Sequence, residues 1–255
     1  MITRPDSGLV AALHPSPNIE PRIGGKTPSA LILHYTGLPT VERALDVLSR
    51  PDCKVSCHYV IDTDGRIIQM VAEDKRAWHA GVSFWAGETD LNSVSIGIEI
   101  QNPGHAHGYP DFPREQMAAV TALSRDIMDR HGIEPKRALA HSDVAPSRKV
   151  DPGEKFDWEG LAGHRVGVWV PPEPVAQSDA GLGLGEETAD VHEARLLLRH
   201  YGYGLAQDGA IDTEMGFVLR AFQLHFRPER VDSRLDRSTL VTLQRLVANV
   251  SPLVA

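Results

Sequence analysis

Ser95-Ile96-Gly97-Ile98-Glu99-Ile100 alternates apolar and small or polar side chains without a break. A period of two predicts a β-strand with three isoleucines on one face. Ser95, Gly97 and Glu99 then share the other face. A lone carboxylate there has two readings: on an edge strand it faces water, and on a central strand covered on both sides it faces a cleft. In the second case it needs a partner, because burying an unpaired carboxylate is costly.

Working outward, Ala30-Leu31-Ile32-Leu33-His34 reads as a buried strand that ends at a histidine. Thr40 can cap a helix whose apolar face is Val41, Ala44, Leu45 and Leu48. His58 to Asp62 and Arg66 to Val71 flank Thr63-Asp64-Gly65, a hairpin signal. Pro113 suits the first turn of a helix through Met117, Val120, Leu123 and Ile127 that stops at Gly132. Ala138 to His141 is a short strand, again ending at a histidine. Strands interleaved with helices predict an α/β domain, a central sheet covered by helices.

Pro171-Pro172-Glu173-Pro174 opens a stretch that runs through Gly181-Leu182-Gly183-Leu184-Gly185 to Glu187 with no apolar period. It reads as a linker over 173–187, dividing a first domain, 1–172, from a second, 188–255. The second is expected to hold three short helices. Val191, Ala194, Leu198 and Tyr201 face inward on the first. Asp212 caps the second, which carries Met215, Val218, Leu219, Phe222 and Phe226. Ser238 caps the third, with Leu240, Leu243 and Val247.

Bulk properties narrow the function classes. The 255 residues are 42% hydrophobic and 24% charged, a globular composition. A net charge of −8 argues against nucleic-acid or anionic-membrane partners. No stretch approaches the roughly 18 apolar residues of a membrane span. The first 20 residues, with Pro5, Asp6, Pro15 and Pro17, hold no apolar core of signal-peptide length. The chain as written therefore reads as cytoplasmic, and as periplasmic or cell-envelope if a leader is missing; a monomer is expected. Cys53 and Cys57 are the only cysteines, too few for a disulfide framework or a cysteine-only metal site.

A zinc site for catalysis takes three protein ligands and leaves one position open. His34 and His141, each at a strand end, and Asp151 in Lys149-Val150-Asp151-Pro152-Gly153 could supply them. Proline favours extended geometry before it, so Lys149 and Asp151 should point the same way. Taken singly, each residue has an ordinary reading: a satisfied polar histidine, a turn, a solvated lysine. There is no His-Glu-x-x-His, and His105-Ala106-His107 in a Gly/Pro-rich loop is a competing pair.

The combination is more telling than its parts. Leu33-His34-Tyr35-Thr36, Ser56-Cys57-His58-Tyr59, Lys75-Arg76-Ala77-Trp78-His79-Ala80-Gly81, Asn92 to Glu99, Ala140-His141-Ser142-Asp143 and Arg148 to Gly153 follow one another along the chain. In kind and order they resemble the blocks of the type-2 N-acetylmuramoyl-L-alanine amidases, in particular the AmpD/AmiD branch. The resemblance implies the mixed sheet, flanked by helices, of phage amidases and peptidoglycan recognition proteins. It implies one Zn2+ per chain held by His34, His141 and Asp151, with Glu99 as acid/base and Lys149 on the oxyanion. Tyr35, Trp78 and His79 are implied to shape the substrate cleft. Some relatives have an oxyanion-assisting tyrosine where this chain has Cys57, which shifts that burden to Lys149.

His200-Tyr201-Gly202-Tyr203, Gln207-Asp208-Gly209 and Phe222-Gln223-Leu224-His225-Phe226 resemble a three-helix peptidoglycan-binding domain. The implied reaction is hydrolysis of the lactyl-amide bond between muramic acid, or its anhydro form, and L-alanine in peptidoglycan or muropeptides. Two alternatives remain at this point: a non-catalytic peptidoglycan-binding protein, and a metallopeptidase acting within the stem peptide.

Overall fold

A computed structural model describes residues 2–250; the last five positions of the expected 188–255 domain lie outside the described residues. The strands are β1 (Ala12–Leu13), β2 (Ile19–Pro21), β3 (Ala30–Tyr35), β4 (Tyr59–Ile61), β5 (Ile67–Gln69), β6 (Lys75–Ala77), β7 (Ser95–Ile100) and β8 (Ala138–Ala140). The helices are α1 (Val41–Ser49), α2 (Leu91–Val94), α3 (Arg114–His131), α4 (His141–Val144), α5 (Trp158–Gly163), α6 (Ala189–Tyr201), α7 (Thr213–Phe226) and α8 (Arg237–Asn249). They divide between two compact units, neither continuous in sequence: 2–82, 90–140 and 155–168 form one, and 83–89, 141–154 and 169–250 the other.

The first unit holds a six-stranded sheet of order β1-β5-β4-β7-β3-β8 among the described residues. β4, β7, β3 and β8 run parallel, while β5 is antiparallel to β4, so the sheet is mixed. It is flanked by helices, as expected. β7 has the bounds its alternation predicts and lies between β4 and β3. The solvent-facing edge reading of Glu99 is therefore excluded.

Local chemistry accounts for the flanking elements. Thr40 Oγ1 accepts from the Arg43 amide and starts α1, whose Val41, Ala44 and Leu48 pack with Cys57, Val60 and Ile68. α3 begins after Pro113 and ends at Gly132 with φ of 65°, a left-handed residue that suits glycine. On its inner face the buried Gln116 amide donates to Ile61 and Gln101 carbonyls, tying the helix to β4 and the end of β7.

Several boundaries differ from expectation: β3 runs one residue past His34 to Tyr35, and β4 and β5 are shorter than the strands expected over 58–62 and 66–71. The strand read as Ala138 to His141 stops at Ala140, and His141 opens the one-turn helix α4. Apolar pattern could not separate these, because Leu139-Ala140 continues naturally into either conformation. The third C-terminal helix is capped by Asp236, not Ser238: Asp236 Oδ1 accepts from the Thr239 amide at 2.6 Å. Ser238 instead donates to the Glu173 carbonyl at 2.6 Å.

In the second unit, α6 and α7 take the caps Thr188 and Asp212 and bury Val191, Ala194, Leu198, Met215, Leu219 and Phe222. Residues 173–187 lie along these helices. Glu173 N donates to Thr242 Oγ1, Leu182 pairs with Leu235, and Gly185 N donates to the Ile211 carbonyl. Among the described residues, no helix is long and apolar enough to cross a membrane.

Candidate active site

The register of the central strands sets the site. Ala30, Ile32 and His34 of β3 stand opposite Ser95, Gly97 and Glu99 of β7. Partners on adjacent parallel strands point to the same face, so His34 and Glu99 project side by side. His34 is almost wholly buried and Glu99 half-buried.

His141 follows directly from β8, the other neighbour of β3. The loop after α4 returns so that Ser142 N donates to the Asp151 carbonyl at 3.0 Å. That bond closes residues 141–151 into a loop and sets His141 Nδ1 3.0 Å from Asp151 Oδ2. One donor atom each from His34, His141 and Asp151 lie within 4.8 Å of one another, all three residues buried. Among the described residues, this is the set in which three metal-type donors converge; His105 and His107 are exposed on a short turn.

The donor set fits zinc. Two imidazoles and one carboxylate are the borderline-soft mixture that zinc accepts, whereas calcium and magnesium prefer all-oxygen shells. Donors about 2.0–2.2 Å from a tetrahedral zinc stand about 3.4 Å apart, close to the 3.0 Å between His141 and Asp151. Three protein donors leave the fourth position that a hydrolytic site requires.

The other expected site residues fall at several places. Lys149 is half-buried on the 141–151 loop, its amide bonded to the Ala145 carbonyl. Tyr35 ends β3, with Oη 3.0 Å from His105 Nδ1 and its ring against Gly104, where a Cβ would come within 2.6 Å. Trp78 follows β6, its indole N–H donating to Glu20 at 3.2 Å. Cys57 is fully buried beneath α1, with Sγ 3.2 Å from the Tyr59 carbonyl. Burial, reinforced by the nearby negative charge of Glu99, pushes its thiol well above the usual range.

His79 is buried on the Gly97 side of the sheet. Its Nδ1 lies 3.0 Å from His34 Nε2, and its Nε2 lies 3.3 Å from Ser95 Oγ. The ring occupies the space that a side chain at Gly97 would need: a Cβ there would lie 2.5 Å from it. The His79 and Ala80 amides both donate to Asn92 Oδ1, holding the turn. Spacing could not reveal this pairing, but a glycine inside an otherwise regular strand is a signal of close approach.

A second buried cluster lies beside His141. Asp143 on α4 accepts from Tyr203 Oη at 2.6 Å and pairs with His225 Nδ1 at 2.7 Å, all three residues buried. His225 comes from α7 and Tyr203 from the turn after α6. Segment 83–89 joins the same packing. Trp85 packs edge-on to Tyr201 and Tyr203, and Phe84 N donates to the Val144 carbonyl.

Known proteins match this arrangement along most of the chain. A family model described as N-acetylmuramoyl-L-alanine amidase matches residues 24–154, and one described as a putative peptidoglycan binding domain matches 187–243. AmiD, an N-acetylmuramoyl-L-alanine amidase of Escherichia coli (strain K12), is 36% identical over 85% of this chain and 81% of its own length. The 1,6-anhydro-N-acetylmuramyl-L-alanine amidase AmpD of the same organism is 38% identical over 56% of this chain and 86% of its own. The solved complex of E. coli AmiD with the substrate anhydro-N-acetylmuramic acid-L-Ala-D-gamma-Glu-L-Lys superposes with a TM-score of 0.74. It has 34% identity and covers 87% of this chain and 89% of that one. AmpDh3 from Pseudomonas aeruginosa gives 0.73 at 33% identity, covering 87% and 92%.

Proposed function

The chain belongs to the N-acetylmuramoyl-L-alanine amidase family, and from that premise we propose that it cleaves the lactyl-amide bond of anhydro-muropeptides with a zinc ion held by His34, His141 and Asp151. The observation that carries the zinc reading is the convergence of those three buried donors. One zinc per chain is the stoichiometry that a single such set supports. When bound, zinc lowers the pKa of a water towards about 7 and polarises an amide carbonyl.

The chain's own side chains divide the remaining work. Glu99, beside His34 on the neighbouring strand, removes the proton from the attacking water and delivers it to the departing alanine amine. Half-burial and a fixed strand position suit a carboxylate that must exchange protons without wandering. Lys149 brings positive charge to the oxygen of the tetrahedral intermediate, where charge develops as water attacks. Tyr35 and Trp78 line the approach of the substrate.

For the chain's organisation we propose an amidase domain over 1–172, a connecting segment over 173–187 and a peptidoglycan-binding domain over 188–255. The match over 187–243 supports the last. Anhydro-muropeptides are favoured as substrate because that of the solved AmiD complex is of this class. Intact peptidoglycan is the substrate that the C-terminal domain would add.

Incubation of purified protein with an anhydro-muramyl tripeptide, followed by mass analysis, tests the reading. The expected products are anhydro-muramic acid and an intact tripeptide with a new L-alanine amino terminus, formed with added zinc and not after chelation. Unchanged substrate at every zinc level would favour a binding protein. Fragments cut inside the peptide would favour a stem-peptide metallopeptidase.

A further inference from the structure

We propose that His79 is a positioning residue that fixes the tautomer of His34, so that His34 ligates its metal through Nδ1. The inference rests on the reading of His34 as a ligand and adds to it a residue that acts only through His34.

One chain of hydrogen bonds fixes where the protons sit. Ser95 Oγ lies 2.5 Å from the Leu91 carbonyl, which can only accept, so the single hydroxyl proton of Ser95 goes there. Ser95 Oγ must then accept from its other neighbour, His79 Nε2, at 3.3 Å. A neutral imidazole carries one N–H, so His79 Nδ1 is an acceptor. Across the 3.0 Å contact the proton therefore belongs to His34 Nε2. That makes Nδ1 the lone-pair end of the His34 ring. The tautomer is set three groups away, by a backbone carbonyl that has no alternative state.

The surroundings hold this chain in place. His79 cannot tip towards the sheet, because its ring already fills the place of a side chain at Gly97. Its backbone is fixed by Asn92, and the His34 and His79 rings meet edge-on at 86°. His58, 5.6 Å from His79 between ring centres, does not compete for the proton, since its Nδ1 already accepts from the Gly97 amide at 3.0 Å. Ligating histidines generally hand their second ring N–H to such an acceptor, and losing it costs about 10- to 100-fold in metal affinity.

The test begins with metal-free wild-type protein. Long-range proton–nitrogen NMR correlations are expected to give His34 as the Nε2–H tautomer. A His34 carrying its proton on Nδ1 would overturn the proposal whatever any variant does. Zinc affinity, measured by competition with a chelator, is expected to fall about 10- to 100-fold in His79→Leu. His79→Asn places an amide oxygen and an amide N–H where the imidazole acceptor and donor stand, and is expected to recover most of that loss. Equal zinc affinity in His79→Leu and wild type would overturn the proposal. His34→Ala separates the two levels of the argument. If it keeps zinc, the ligand reading itself fails; if it loses zinc while His79→Leu does not, only the role of His79 fails.

Discussion

His34 and Glu99 stand on the same rung of two adjacent parallel strands, their side chains on one face of the sheet. The proposed metal ligand and the proposed proton carrier are thus held at a fixed spacing by backbone hydrogen bonds rather than by loop packing. Glu99→Gln keeps the shape and removes the basic oxygen. Its kcat is expected to fall by about 10²- to 10⁴-fold, with zinc content unchanged by elemental analysis. Retained activity would remove Glu99 from the mechanism.

Zinc removal should also be visible without substrate. A ligand that binds only the folded state stabilises it by about 2.7 kcal/mol at a hundredfold excess over Kd. For a chain of this size that corresponds to a Tm fall of roughly 5–10 °C on chelation. Asp151→Asn is expected to start from the lower Tm and show no further fall. A chelator-insensitive Tm in the wild type would contradict a metal held by His34, His141 and Asp151.

Gly97→Ala is a minor change by strand propensity, yet its Cβ would lie 2.5 Å from the His79 ring. The ring must move, and its contact with His34 is lost. Zinc affinity is expected to drop by about the factor seen on losing that partner, 10- to 100-fold. Circular dichroism should show the sheet intact. Unchanged affinity would mean that the ring yields without consequence.

Two buried groups are expected to contribute to the acid sensitivity of the fold. Burial, then the positive charge of Arg22, pushes His58 from 6.5 down to about 3. Its folded pKa lies below its unfolded one, so the unfolded chain binds the proton first. Stability is complete above about pH 6.5 and lost as pH falls towards 3, with a slope near 1.4 kcal/mol per pH unit. For Glu73, burial acts upward but is outweighed by hydrogen bonds from Arg130, His131 and Tyr59, which bring it from 4.5 to about 2. Its contribution is present above about pH 4.5 and disappears as pH falls towards 2. Denaturant titrations across this range are expected to show stability falling continuously. Glu73→Gln is expected to flatten the lower part of the curve, and a slope unchanged below pH 4.5 would reject the role of Glu73.

Much of the framework was legible because it is local. Alternation fixed β7, the cap at Thr40 fixed the start of α1, and Gly132 marked the end of α3. The expected metal donors, 10 to 117 residues apart in sequence, do converge, but spacing alone could not have said so, and the family's blocks supplied that expectation. The strand order was not legible, since local alternation does not say which strands pair and β1, two residues long, carries no pattern. Nor was the contact between His34 and His79, which depends on two chain segments meeting above Gly97. Asp143 looked like one more polar residue in a short motif, because its partners Tyr203 and His225 lie 60 and 82 residues away.

Tyr203→Phe removes the hydroxyl from the Asp143 cluster and leaves a buried carboxyl oxygen short of one donor. The expected loss is about 1–3 kcal/mol of folding stability, read by urea titration. Because Asp143 shares α4 with His141, weaker zinc binding should accompany it. A loss of stability without any change in zinc affinity would show that α4 holds its shape independently.

The Asp143 cluster also constrains how such a protein can be inherited. A recombination point in the proline-rich segment near residue 172 does not release the C-terminal helices as a cassette. It would instead part Asp143 from Tyr203 and His225, and the 83–89 segment from Tyr201. An incoming module must bring its own tyrosine and histidine to those positions or deprive a buried acid of two hydrogen-bonding groups. The two halves of this chain are therefore expected to share a single descent, with lineages that exchange the tail also changing residue 143.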